Sequence, residues 1–305
     1  MFDKDDPRAS LATISGRSPV ATDHDGSIRP PQYIEFDQEE SVETSAAGSP
    51  SWYFRGQNFT LSLTRLREGD TLARHEEDNE YLVLLTDNIA RVTVAVGAET
   101  ENIDEQALVV VPPGDSTVTA RAETVVIRLF DRRATDLLAK ARNAAAYESA
   151  DPRVTALTPW PDPVGGPRLR VYCPGQVSRE PGRFGRIFRT SAFMVNFLDV
   201  QDGPRDPERL SPHHHDDFEQ CSLAVEGSFV HHIRTPWTTR SSQWQDDEHR
   251  QVGSPSIAII PPPTIHTSEA VGNRQNRLID IFCPPREDFS VKDGWVLNAM
   301  EYPQP

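Results

Sequence analysis

Pro212-His213-His214-His215-Asp216-Asp217-Phe218-Glu219-Gln220 and, downstream, Ile259-Ile260-Pro261-Pro262-Pro263-Thr264-Ile265-His266 are the two stretches on which the reading of this chain turns. Side chains two apart on an extended backbone share a face. His213 and His215 therefore point one way and His214 the other. Glu219 has the same parity, together with Cys221, Leu223 and Val225, which are apolar enough to face inward. Gln220 points outward on this reading. Asp216 and Asp217 are placed to orient the histidines from behind. Three imidazoles and one carboxylate suit a borderline divalent transition metal: Fe, Mn, Ni, Cu or Zn.

Around these stretches the chain reads as short strands. Residues 184–200, 219–233, 256–260 and 278–282 carry apolar runs broken by turn residues, and the run at 256–260 ends in prolines. The first half has the same grammar. Phe59, Leu61 and Leu63 alternate with polar residues, as do Val92, Val94 and Val96. The run 107–111 ends at Pro112-Pro113-Gly114, and residues 124–130 close the series. Gln32-Tyr33-Ile34-Glu35-Phe36 reads as an edge strand. One helix is expected over residues 135–149, capped by Thr135 or Asp136, with a stripe of Leu137, Leu138, Ala141, Ala145 and Ala146. The matching order of strands and prolines in the two halves points to an internal duplication.

The paired segments resemble the two motifs of the cupin superfamily. The first motif reads His-x-His, three or four residues, Glu, then Gly. This chain offers His213-x-His215, three residues, Glu219 and then Gly227. Counting four residues instead puts Gln220 in the acidic slot; charge and parity favour Glu219. The second motif, Pro-x-Gly-x-x-His, is Pro261-x-Pro263-x-x-His266, with proline in place of glycine. The first half carries a worn copy. Glu80 and Asp87 keep the family interval, His75 precedes Glu80, and the first histidine slot is Ala73. Pro112-Pro113-Gly114-Asp115-Ser116-Thr117 has Thr117 in place of the histidine. No metal is expected there.

The resemblance implies an all-β bicupin: two tandem jelly-roll (double-stranded β-helix) barrels with one linking helix. Its division is an arm at 1–50, a degenerate barrel with the helix at 51–150, a Pro- and Gly-rich linker at 151–168, and a metal-binding barrel at 169–305. It implies one divalent metal on His213, His215, Glu219 and His266. Among such proteins it implies an Fe(II) dioxygenase acting on a small organic molecule with O₂, Glu219 serving as ligand or base. A non-redox isomerase or lyase using Zn, Mn or Ni is the alternative, and a ligand-binding or sensor protein is a third reading. The resemblance also allows a homodimer through edge strands.

Other residues are weighed against plainer roles. His231 and His232 follow Gly227 on a strand, so one of them faces the barrel interior; His231 is the acid–base candidate. Trp237 and Trp244 fall in an insertion between the motifs, where they pack the loop or cap the barrel mouth.

Composition bounds the rest. The 305 residues carry 46 acids and 31 bases, a formal charge of −15. That excludes a surface built for nucleic acid or for an anionic membrane. Twenty-six prolines argue against a helical bundle. No apolar run approaches a membrane span. The acidic first residues carry no apolar core of a secretory signal. Cys173, Cys221 and Cys283 have no metal-knuckle or redox spacing. Reduced thiols in a cytoplasmic protein are expected. Seven of the nine histidines lie between His213 and His266.

Overall fold

A computed structural model describes residues 6–9 and 26–305. The rest of the arm expected at 1–50 lies outside the described residues. Strands dominate, as the period-2 patterns require, and among the described residues the strands pair antiparallel, with one isolated parallel bridge between Ile187 and Val296. No helix is long and apolar enough to cross a membrane among the described residues.

The chain forms two units, each a pair of sheets. In the N-terminal unit, a seven-stranded sheet runs Arg170–Tyr172, Ala107–Val111, Tyr81–Leu85, Thr124–Asp131, Phe59–Leu66, Pro50–Arg55, Glu43–Thr44. A four-stranded sheet of Thr71–Glu77, Gly114–Ala120, Val92–Val96 and Glu99–Ile103 completes it. The inward alternation of Tyr81, Val83 and Leu85 meets Val92, Val94 and Val118 in one core. In the C-terminal unit the large sheet runs Gln32–Glu35, Ser256–Ile260, Gln220–Glu226, Gln275–Phe282, Met194–Phe197, Arg186–Arg189. Its facing sheet is Glu248–Val252, Phe229–Arg234 and Ile265–Ala270.

The two units match strand for strand. In the first, Tyr53, Ser62, Arg128, Val83 and Val109 lie on one line across neighbouring strands. In the second the line is Ile187, Asn196, Asp280, Ser222 and Ala258. Ala73 lies opposite Thr117, just as His213 lies opposite His266.

The units interleave in sequence, which differs from the contiguous division at 51–150, 151–168 and 169–305. Pro161–Ser178 belongs with the N-terminal unit, and Ala150–Trp160 and the described part of Met1–Glu39 with the C-terminal one. The cause is edge pairing. Arg170–Tyr172 hydrogen-bonds the free edge of Ala107–Val111, and Gln32–Glu35 covers that of Ser256–Ile260. Residues 26–50, read as part of an arm, thus include an ordered edge strand.

The single helix expected over 135–149 is instead a turn of α-helix at Thr135–Leu138 and a 3-10 turn at Ala144–Tyr147. Between them the backbone serves the strand Pro50–Arg55. Arg142 N donates to Tyr53 O at 2.9 Å, and the Asn143 amide pairs with both backbone groups of Arg55 at 3.0 and 2.8 Å. Satisfying a buried sheet edge outweighs a few helical bonds. A second short helix spans Glu287–Ser290.

Candidate metal centre

His213 and His266 lie opposite each other and exchange backbone bonds, His213 N to His266 O at 3.0 Å and His266 N to His213 O at 2.7 Å. The turn before His266 is closed by Thr264 N donating to Pro261 O at 3.1 Å, so the prolines that replace the motif glycine keep the histidine in place. Gly227 adopts φ +86°, and a Cβ there would meet Asn276 Oδ1 at 2.3 Å, which is why glycine stands at that slot.

His213, His215 and His266 each offer a nitrogen within 4.8 Å of the others. His213 Nδ1 lies 2.9 Å from Ser211 O, and His266 Nδ1 lies 2.9 Å from Thr264 O. A carbonyl can only accept, so both Nδ1 atoms carry the proton. Their Nε2 atoms then carry the lone pair, the arrangement that second-sphere carbonyls impose on metal-ligating histidines. Burial holds all three rings neutral: His266 is brought down to about 4, and His213 and His215 well below their usual value. The donor set fits a divalent transition ion.

The fourth position corrects the expectation. Gln220, not Glu219, faces the triad. Its Oε1 lies 2.8 Å from His215 Nε2 and 3.3 Å from His266 Nε2. Glu219 is buried but is not among the side chains that meet there. The parity argument fails because the chain bends at Asp216 and Asp217 and becomes a strand again only at Gln220. Alternation counts only along continuous strand. Phe218, in the intervening loop, stacks on His215 with centroids 4.4 Å apart. Asp216 faces the outward His214 at 3.3 Å rather than a triad histidine.

Beneath Gln220 lies an acid that the motif spacing does not reveal. Gln220 Nε2 donates to Ser222 Oγ at 2.9 Å and to Asp280 Oδ1 at 3.1 Å, and Ser222 Oγ donates to the same Asp280 oxygen at 3.0 Å. These bonds hold the amide with its oxygen toward the histidines. Burial raises the Asp280 carboxyl to about 6. Its signal in the sequence is an acid in the otherwise apolar run Leu278-Ile279-Asp280-Ile281-Phe282. Arg286 is enclosed by Phe218, Phe282 and Phe289, its guanidinium carbon 4.5, 5.0 and 3.8 Å from their centroids, and is ion-paired to Asp288. Its charge further disfavours protonation of His215.

His213, Gln220, His266 and Asp280 line a cavity of about 510 Å³. Arg8 and Arg205 also line it, each donating to Ser211 Oγ at 3.0 Å. His231 is the inward member of its pair. It is 1% exposed, with Nδ1 2.9 Å from Ser268 Oγ, and Ser268 lines the cavity. His231 itself does not line it. His231 Nε2 has no hydrogen-bond partner among the described residues, and burial brings the ring down to about 4. His232 faces out, toward His249 and Glu269. Trp237 and Trp244 stack on each other at 4.4 Å in the insertion and remain exposed. Cys221 is fully buried, and burial pushes its thiol up. In the other unit His75 is exposed, 3.8 Å from Asp115.

Many solved structures share this architecture. An oxalate decarboxylase studied for its substrate binding and reaction-specificity switch matches with TM-score 0.56 and 12% identity, over 88% of this chain and 80% of that one. The chain has the fold of tandem cupin barrels. The oxalate decarboxylase of Lactobacillus farciminis, in a formate complex, matches this chain with TM-score 0.55 and 11% identity over 86% and 88% of the two chains. An IolB-like protein from Salmonella typhimurium matches with TM-score 0.52 and 12% identity over 83% and 93%. No protein-family profile matches the chain's sequence, and no curated protein does.

Proposed function

We propose that this bicupin is a metal-dependent enzyme acting on a small organic molecule in the cavity of its C-terminal unit. The observation that carries the reading is the convergence of three neutral imidazoles, two of which have Nδ1 locked by backbone carbonyls and line that cavity. His213, His215 and His266 hold one divalent transition ion, and Gln220 presents its amide oxygen beside them. Such an ion supplies Lewis acidity and, as Fe(II), redox chemistry with O₂.

The chain's own groups do the rest. Asp280 is placed at the cavity to hold or release a proton near pH 6. His231 is a positioning residue, fixing the hydroxyl of Ser268 on the cavity wall. An Fe(II) dioxygenase is the first reading. A non-redox lyase or isomerase is the second, favoured by the Asp280 carboxyl and by the presence of oxalate decarboxylases among the solved structures of this fold.

Metal analysis of the purified protein, with turnover assays on diketones, phenols, sugar acids and oxalate, tests the proposal. O₂ uptake matching product formation supports the dioxygenase. Anaerobic turnover with Mn or Zn supports the lyase or isomerase. Binding without turnover across the panel overturns the enzyme reading in favour of a sensor. Metal content unchanged in His266→Ala overturns the ligand assignment.

A further inference from the structure

The N-terminal unit buries a guanidinium at the place where the C-terminal unit buries an acid. Arg128 lies opposite Ser62 and Val83, as Asp280 lies opposite Asn196 and Ser222. It is 5% exposed, on the inner line with Tyr53 and Val83, which belong to the core. Its Nε and Nη1 are buried and have no hydrogen-bond partner among the described residues. Ser62 Oγ, directly across the strand, and Thr60 Oγ1, two residues along, are likewise buried without partners.

Glu43 attracts this guanidinium from a distance, but no carboxylate forms a hydrogen bond or ion pair with it among the described residues. Glu77 pairs with Arg74, Asp136 with Arg74, and Glu43 with Lys140 and the Tyr53 hydroxyl. Tyr81, at the position that Gln220 holds in the other unit, stacks on Phe130 at 4.6 Å and shares a hydrogen bond with Ser116 at 3.0 Å. Arg74 and Arg128 flank the same Phe130 ring at 5.1 and 5.4 Å. An uncompensated charge inside a core is among the costliest arrangements a protein can hold, and an ionised partner removes most of that cost. Arginine cannot escape by losing its proton.

We infer that the N-terminal unit is an anion-binding site, taking a small monovalent anion such as a halide or formate on Arg128 and the hydroxyls of Ser62 and Thr60. The duplication has then exchanged charge rather than merely lost ligands. One copy gathers lone pairs and an acid around a cation site; the other gathers N–H and O–H donors where an anion fits. The crowding by Tyr53, Tyr81 and Phe130 restricts the occupant to a few atoms.

The test uses the full chain, dialysed into HEPES free of small anions. Sodium bromide or sodium formate should raise Tm saturably, by about 5 °C. Response to formate alone would assign a carboxylate, and response to both a general small-anion site. Arg128→Met should lose the response while keeping metal loading of the His triad. Arg205→Gln, in the cavity of the C-terminal unit, should retain it. Crystals grown in bromide should show an anomalous peak beside Arg128, a readout independent of how the variant folds. No peak there, or an unchanged Tm response in Arg128→Met, overturns the inference.

Discussion

Replacing Asp280 by Asn should stabilise the metal-free protein at neutral pH, and the gain should vanish in acid. Asp280 is 5% exposed and shares one carboxylate oxygen between Gln220 and Ser222. Burial outweighs those bonds, and the carboxyl rises from 3.8 to about 6. At 1.36 kcal/mol for each factor of ten, the ionised group costs the folded state roughly 3 kcal/mol. The sign follows from linkage. Between pH 3.8 and 6 the folded chain binds more protons than the unfolded one, so stability contributed by this group is whole below 3.8 and lost as pH rises through 6. Asn keeps an acceptor oxygen for Gln220 and Ser222 but never ionises. Urea unfolding of metal-free wild type and Asp280→Asn should therefore differ by about 2–3 kcal/mol at pH 7.5 and by little at pH 4. Equal stability at pH 7.5, or a gain that does not change with pH, would refute the account of this carboxyl.

Two further outcomes check the site. Gln220→Leu should weaken metal binding about 10- to 100-fold in a chelator competition, because it removes the group facing His215 and His266; Glu219→Ala should change it less than about threefold, and the reverse order would restore the parity reading. His231 and His266, both depressed from 6.5 to about 4, contribute stability that is complete above pH 6.5 and lost as pH falls toward 4. In metal-free protein, His231→Gln should flatten this acid loss by roughly 3 kcal/mol, read from unfolding at pH 4 and 7.

Period-2 alternation, proline-terminated runs and the repetition of both were enough to read an all-β duplicated chain, because strand faces follow directly from residue spacing. The same spacing joined His213 and His215, and the second motif supplied His266. Parity failed where the backbone stopped being a strand. Two bent residues, Asp216 and Asp217, exchanged Glu219 for Gln220 at the triad. The helix over 135–149 failed for a related reason: its apolar stripe is buried only at Leu137 and Ala141, and Asn143 meets a sheet edge that no local pattern announces.

What the sequence determined by itself was local: which segments extend, which faces are apolar, and which histidines share a face within one segment. What only the tertiary structure decided was which distant strands lie side by side. Asp280 reaches Gln220 across 60 residues of chain, and Arg128 meets Ser62 across a different pair of strands. The cost of burying each charge depends on those neighbours, and hydrogen bonds between strands, not spacing along one of them, choose the neighbours.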